Sequence, residues 1–169
     1  LCDAYGLPIA VLCDTPGIMV GPEAEREATV RRASRMFVVG SNTSVPVGTV
    51  VVRKGYGLGA QAMAAGGFKA NDFTIGWPTS EFGGMNLEGA VRLGFRKELD
   101  AITDEAERGV VYQERLAAMY ERGRGLSMAS YFEIDDVIDP ADTRRWLVGL
   151  AHAAPEPAWR SGDHRPWVL

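Results

Sequence analysis

Three stretches of this sequence carry residue types that can do chemistry, two of them through backbone N–H groups and no titrating side chain. In Arg53-Lys54-Gly55-Tyr56-Gly57-Leu58-Gly59-Ala60, glycines alternate just after an apolar run and just before the small residues around Gln61, Ala62 and Met63. A glycine-rich turn entering a helix points successive backbone N–H groups outward, where the helix dipole adds positive potential. Such a turn stabilises negative charge building on a carbonyl oxygen during acyl or carboxyl transfer, and losing one donor of this kind costs about 10²–10³ in rate. Gly83-Gly84-Met85 is a second backbone turn ahead of a helix. Asp14-Thr15-Pro16-Gly17 has the spacing of the magnesium-binding DxxG turn of a GTPase.

Other chemistries compete for the same residues. Gly55-x-Gly57-x-Gly59, after a strand and before a helix, also suits a Rossmann-type dinucleotide-binding domain, with a pyrophosphate at the helix start. Arg53 and Lys54 separate that strand from the first glycine, and Asp72 precedes its strand instead of ending one. A GTPase needs a GxxxxGK[ST] loop to hold phosphates, and neither that loop nor a base-reading NKxD segment is present. His152 and His164 lie outside any motif and read as surface or packing residues. Cys2 and Cys13 form no CxxC pair and have no histidine at metal-like spacing, so no metal site is expected. Cys13, inside an apolar run, reads as a buried reduced thiol. Asp14 is expected to order its turn through side-chain hydrogen bonds. Glu81 reads as a turn residue, with the acyl site as its other reading. Arg53 and Lys54 read equally as a solvated pair or as an attractor for an anionic ligand.

The elements that must position these residues alternate between strand and helix, which predicts an α/β domain. Leu7–Asp14, Pro46–Val52 and Phe73–Trp77 are short apolar, strand-like runs bounded by turn residues. Pro22, with Glu23 and Glu25, marks a helix start whose apolar face carries Ala28, Ala33, Met36 and Phe37. Asn86 is placed to cap a helix over residues 87–99 with Ala90, Val91, Leu93 and Phe95 as its apolar positions. Asp104 and Glu107 have capping-box spacing ahead of Val110, Val111, Leu116, Ala117 and Tyr120. Tyr131–Ile138 reads as a last strand, and Asp139-Pro140 as the start of a final helix.

Composition bounds the function classes. The 169 residues, 46% hydrophobic and 24% charged, suit one soluble globular domain able to bury a core without disulfides. A net charge of -4 and a pI near 5.2 argue against a nucleic-acid footprint. No apolar run approaches the roughly 20 residues that span a bilayer, and no signal-like segment opens the chain, so the expected setting is cytoplasmic. The chain opens on Leu1 directly into an apolar segment, which we read as part of a longer protein. Residues 1–150 read as the domain, and 151–169, with Trp159 and Trp167 among prolines, as a tail packing on its own domain or on a neighbouring subunit.

Four ordered segments carry a family resemblance. LPIAVLCDTPGIMVGPEAE, then VPVGTVVVRKGYGLGAQAM, WPTSEFGGMNLEGAV and FEIDDVIDPADTRRWL resemble, in order and spacing, the carboxyl-terminal domain of biotin-dependent acyl-CoA carboxylase carboxyltransferases, the propionyl-CoA and acetyl-CoA carboxylase β subunit family. The resemblance implies a crotonase-like (ClpP/crotonase) spiral of ββα units. It implies transfer of a carboxyl group from carboxybiotin to the α carbon of an acyl-CoA, with a decarboxylase or transcarboxylase subunit as the alternative. The backbone N–H groups that face the biotin ureido oxygen fall on Leu58 and Gly59. Gly57, Gln61, Gly83, Gly84 and Met85 fall on the substrate-binding part of the cleft. Where the family's loop reads RKAYGGAYDVM, Gln61 replaces an aspartate linked with acyl-group choice in propionyl-type enzymes. Implied cofactors are biotin on a carrier and coenzyme A within the substrate. Implied partners are a biotin carboxyl carrier domain, a biotin carboxylase, the amino-terminal carboxyltransferase domain, and further copies as a dimer or hexamer.

Overall fold

The computed structural model describes residues 1–154. Its centre is a parallel sheet of β1 (Ile9–Thr15), β2 (Val47–Tyr56), β3 (Phe73–Gly76), β4 (Glu81–Gly83) and β5 (Asp136–Val137), in the order β1-β2-β3-β5 with β4 also on β2. The long β2 takes two neighbours in succession. Gly48–Val51 pair with β3, and Lys54–Tyr56 pair with β4. The chain makes this handover at Trp77–Ser80, where Trp77 N–H donates to the Val51 carbonyl at 3.0 Å and Ser80 N–H to the Trp77 carbonyl at 2.8 Å.

Parallel strands covered on both faces need apolar side chains on both, and the uncharged run of β2 supplies them. Val51 packs with Cys13, Ala60, Phe82 and Ile134. Its neighbour Val50 packs with Phe73, Ile75, Ile138 and Leu150 in a separate cluster, as the two-residue alternation of a strand requires. The sheet thus divides the core in two, and its first cluster lies under the glycine turns.

Helices α1 (Cys2–Tyr5), α2 (Pro22–Arg26) and α3 (Thr29–Asn42) flank β1 in the chain. The single helix expected from Pro22 is broken at Ala28, whose φ of 55 is left-handed and cannot continue a helix. The face assigned to Ala33 and Phe37 is only half-buried, and Ala28 and Met36 are exposed. α4 (Gly57–Met63) follows β2 directly. α5 (Leu87–Gly94) is capped as expected, Asn86 accepting from Gly89 N–H at 3.1 Å. The predicted continuation to Leu99 breaks at Phe95, after the poor helix former Gly94, into α6 (Arg96–Ala101). Leu93 is exposed, because two residues on from the buried Val91 it faces the opposite side of α5, while Leu87 and Val91 are buried. α7 (Glu105–Gly123) is capped by Asp104, which accepts from Ala106 N–H at 2.8 Å.

After α8 (Gly125–Ser130), the strand expected over Tyr131–Ile138 shrinks to the two residues of β5. The chain turns first: Phe132 has φ 60, Glu133 N–H returns to the Met128 carbonyl at 3.0 Å, and Asp135 spends its carboxylate on Thr74 N–H at 2.7 Å. Asp139 accepts from Ala141 N–H at 2.8 Å and opens a 3-10 turn at Pro140–Asp142 that leads into α9 (Thr143–Ala153). α9 ends three residues into the segment assigned to the tail; Trp159, His164 and Trp167 lie outside the described residues. Among the described residues, no helix is long and apolar enough to cross a membrane.

Ser80 is 1% exposed, and its hydroxyl has no hydrogen-bond partner among the described residues. A buried unsatisfied hydroxyl costs about 1–3 kcal/mol. Ser80→Ala should therefore raise the unfolding midpoint by roughly 2–4 °C per kcal/mol recovered in a domain of this size, measured by thermal denaturation.

Candidate active site

The carboxyl end of β2 brings the glycine segments together. Gly57 is the first residue of α4 and has φ +57, a left-handed geometry that costs an L residue about 1–2 kcal/mol. A Cβ there would stand 2.8 Å from the carbonyl oxygen of Gly84, so the turn at Gly57 and the turn at Gly84 approach as closely as bare backbone allows. The N-cap of α4, Tyr56, offers no side-chain hydrogen bond to the first turn. The N–H groups of Leu58 and Gly59 precede the first residue able to bond back along the helix.

A cavity of about 310 Å³ opens beside this junction. Gly57, Gln61, Gly83 and Gly84 line it, with Met119 and Arg122 of α7 on the far wall. Leu58 and Gly59 do not line it. Leu58 is 56% exposed, and Gly59 is packed so closely on the DTPG turn that a Cβ would stand 2.9 Å from Gly17. Met85 is 40% exposed and also lies outside the cavity wall. Four of the predicted residues thus share one cavity, while Leu58 and Met85 lie exposed outside it and Gly59 packs against the DTPG turn.

The polar groups nearby are spent on structure. Asp14 does not order its own turn; Thr15 does, its hydroxyl accepting from Gly17 N–H at 3.2 Å. Asp14 reaches Arg53 Nη2 at 2.9 Å and Lys54 N–H at 3.1 Å, across a register shift in β1. The Arg53 hydrogen bond first, then the Lys54 amide, holds the Asp14 carboxyl below the usual carboxylate range. Burial pushes the Cys13 thiol up to about 11, so it stays protonated. Glu81 opens β4 and accepts the Tyr56 hydroxyl at 2.7 Å. Tyr120 of α7 donates to Glu88 of α5 at 2.7 Å, which ties the far wall of the cavity to the near one. Among the described residues, no group of three or more His, Cys, Asp or Glu could hold a metal ion.

The pattern of the carboxyl transferase domain matches residues 1–161. This chain belongs to that family. Among curated relatives of the carboxyl transferase domain, it is 37% identical over 148 residues to the methylmalonyl-CoA carboxyltransferase 12S subunit of Propionibacterium freudenreichii subsp. shermanii, covering 85% of this chain and 27% of that protein. It is 35% identical over 152 residues to the propionyl-CoA carboxylase carboxyltransferase subunit of Haloferax mediterranei, covering 87% and 28%. The chain therefore spans under a third of these relatives.

Among solved structures, a single-chain, multi-domain long-chain acyl-CoA carboxylase superposes with a TM-score of 0.76 at 54% identity, covering 88% of this chain and 14% of that one. The transcarboxylase 12S hexamer with methylmalonyl-CoA bound superposes with a TM-score of 0.79 at 31% identity, covering 97% and 31%. The fold is the crotonase-like α/β fold of these carboxyltransferases, and β3, β4 and α5 follow one another along the chain in ββα order. The dinucleotide and GTPase readings are set aside. β2 runs on through Arg53 and Lys54 to Tyr56, so Gly55 lies inside the strand and the three glycines do not form one turn, and Asp72 is spent on Val47 N–H at 2.8 Å. In this carboxyl transferase domain the sequence reading missed Tyr56, Met119 and Arg122. The adjacency of Tyr56 to the glycines was the one available signal, since the α7 residues come from a distant helix.

Proposed function

We propose that this chain forms the half-site of a biotin-dependent acyl-CoA carboxylase at which a carboxyl group passes from carboxybiotin to the α carbon of an acyl-CoA. The observation that carries this reading is the approach of Gly57 to the Gly84 carbonyl, beside a helix start left without a side-chain cap. A cyclic urea oxygen needs neutral donors at close range, and backbone amides reached across bare glycines fit that need. Biotin, when bound, supplies the carboxyl group in activated form. Leu58 and Gly59 N–H would hold the developing negative charge, while Gln61, Gly83, Gly84 and Met85 orient the acyl acceptor.

The exposure of Leu58 suits a site completed by another domain. The reading accordingly assigns as partners an amino-terminal carboxyltransferase domain, a biotin carboxyl carrier domain, a biotin carboxylase and further copies of the chain, as a dimer or hexamer. Hexamer assembly of the matched 12S protein supports the last of these. A cytoplasmic setting belongs to the same reading, and the free thiols of Cys2 and Cys13 suit a reducing compartment. A transcarboxylase or decarboxylase subunit is the second reading, favoured by the 37% identity to the methylmalonyl-CoA carboxyltransferase.

The test uses labelled carboxyl carrier and acyl-CoA. The full-length enzyme should transfer label, and residues 1–169 alone should not. Turnover by the isolated chain overturns the half-site assignment; no transfer by the full-length enzyme overturns carboxyl transfer itself.

A further inference from the structure

We propose that the hydrogen bond between Tyr56 and Glu81 is a strut that sets the separation of the two glycine turns, making both side chains positioning residues for carboxyl transfer. This rests on the function proposed above. Tyr56 is the last residue of β2 and the N-cap of α4, with extended backbone (φ -102, ψ 134), so any shift of its α carbon moves the Gly57–Gly59 turn directly. Its hydroxyl donates to Glu81 Oε2 at 2.7 Å, across 25 residues of chain.

The register explains why these two side chains meet. Tyr56 pairs with Gly83, so Glu81 is its diagonal neighbour on the same face of β4, within reach of a long side chain. The same ring lies against Gly83, where a Cβ would stand 3.6 Å from Tyr56 Cδ1. The Tyr56 carbonyl oxygen lies 3.4 Å from where a Cβ on Gly17 would be. One residue, 2% exposed, therefore touches the DTPG turn, the Gly83 turn and the start of α4 together. Burial first, and Glu81 second, push the tyrosine pKa well above its ordinary range, so the hydroxyl remains a donor at any working pH. A tyrosine that merely fills the core would need its ring and not this bond, so the test removes the bond and keeps the ring.

In the full-length enzyme, Tyr56→Phe should lower kcat about tenfold with KM for acyl-CoA unchanged, the pattern of an interaction felt only in the transition state. Glu81→Ala should match it, and Glu81→Gln, which keeps an accepting oxygen, should restore most of the rate. The double variant Tyr56→Phe/Glu81→Ala should be no slower than either single one, since both remove the same bond. Unchanged kcat in Tyr56→Phe, whatever its unfolding midpoint, overturns the inference, as do additive losses in the double variant. If Tyr56→Phe does not fold, equal losses in Glu81→Gln and Glu81→Ala overturn it instead. A wild-type enzyme with no carboxyl transfer sinks the underlying function; an active wild type with an equally active Tyr56→Phe sinks only the strut.

Discussion

In the full-length enzyme, Leu58→Pro is expected to lower the rate of carboxyl transfer by about 10²–10³-fold, the usual loss for one donor to a developing oxyanion, while Leu58→Ala keeps most of it. Leu58 is the second residue of α4, where proline's fixed φ is compatible with the first helical turn. Its N–H has no place in the helix's own hydrogen-bond ladder, so the substitution breaks no intrahelical bond. Its side chain is 56% exposed, so little packing is lost either way. The pair therefore separates loss of one N–H group from loss of the side chain, and the unfolding midpoints report any shift that proline forces on Gly57 before it. The analogous Gly59→Pro does not, because any Cβ at Gly59 meets Gly17 backbone at 2.9 Å, and Gly59→Ala alone would already displace the DTPG turn. Single-turnover transfer from a carboxylated carrier is the measurement, with unfolding midpoints taken in parallel. A Leu58→Pro enzyme as fast as Leu58→Ala would remove this amide from the mechanism.

What sequence reasoning recovers here is chemistry local in the chain. Asn86, Asp104 and Asp139 each accept from an N–H two or three residues on, as their positions ahead of helical patterns predict. The buried run of β2 is legible because both its faces are covered and both must be apolar. Interactions distant in the chain are not legible. β4 holds three residues including a charge and a glycine, and only its pairing with Lys54–Tyr56 makes it a strand. That pairing also carries β2 through Arg53 and Lys54, whose charges make the strand look finished at Val52. The break at Ala28 leaves no glycine to announce it. At the site, the glycines stand in plain view. Neither the partnership of Tyr56 with Glu81 nor the wall formed by Met119 and Arg122 does, because each joins segments whose proximity is a property of the fold. The role of Asp14 escapes the sequence for the same reason: its partners lie 39 and 40 residues away on β2.

The approach of Gly57 to Gly84 makes the other large prediction. Gly57→Ala is expected to reduce carboxyl transfer by at least about 10²-fold, comparable to loss of a preorganised donor. Two penalties act at once. The left-handed φ of +57 costs an L residue about 1–2 kcal/mol. The new methyl also meets the Gly84 carbonyl oxygen at 2.8 Å, and a backbone oxygen cannot rotate aside as a side chain does. Relief requires that β4 and its following turn retreat from α4, which widens the junction that the cavity adjoins. Gly57→Asn separates the penalties, because asparagine tolerates left-handed backbone but still carries a Cβ. If the contact with Gly84 governs the loss, Gly57→Asn will be nearly as slow as Gly57→Ala; if backbone strain governs it, asparagine will recover much of the rate. Both variants should fold, since the contact lies at the sheet's carboxyl end and leaves the buried layers around Val50 and Val51 untouched. A Gly57→Ala enzyme within about threefold of wild type, a difference of well under 1 kcal/mol, would mean that the two turns need no such approach, and the site built on them would fall.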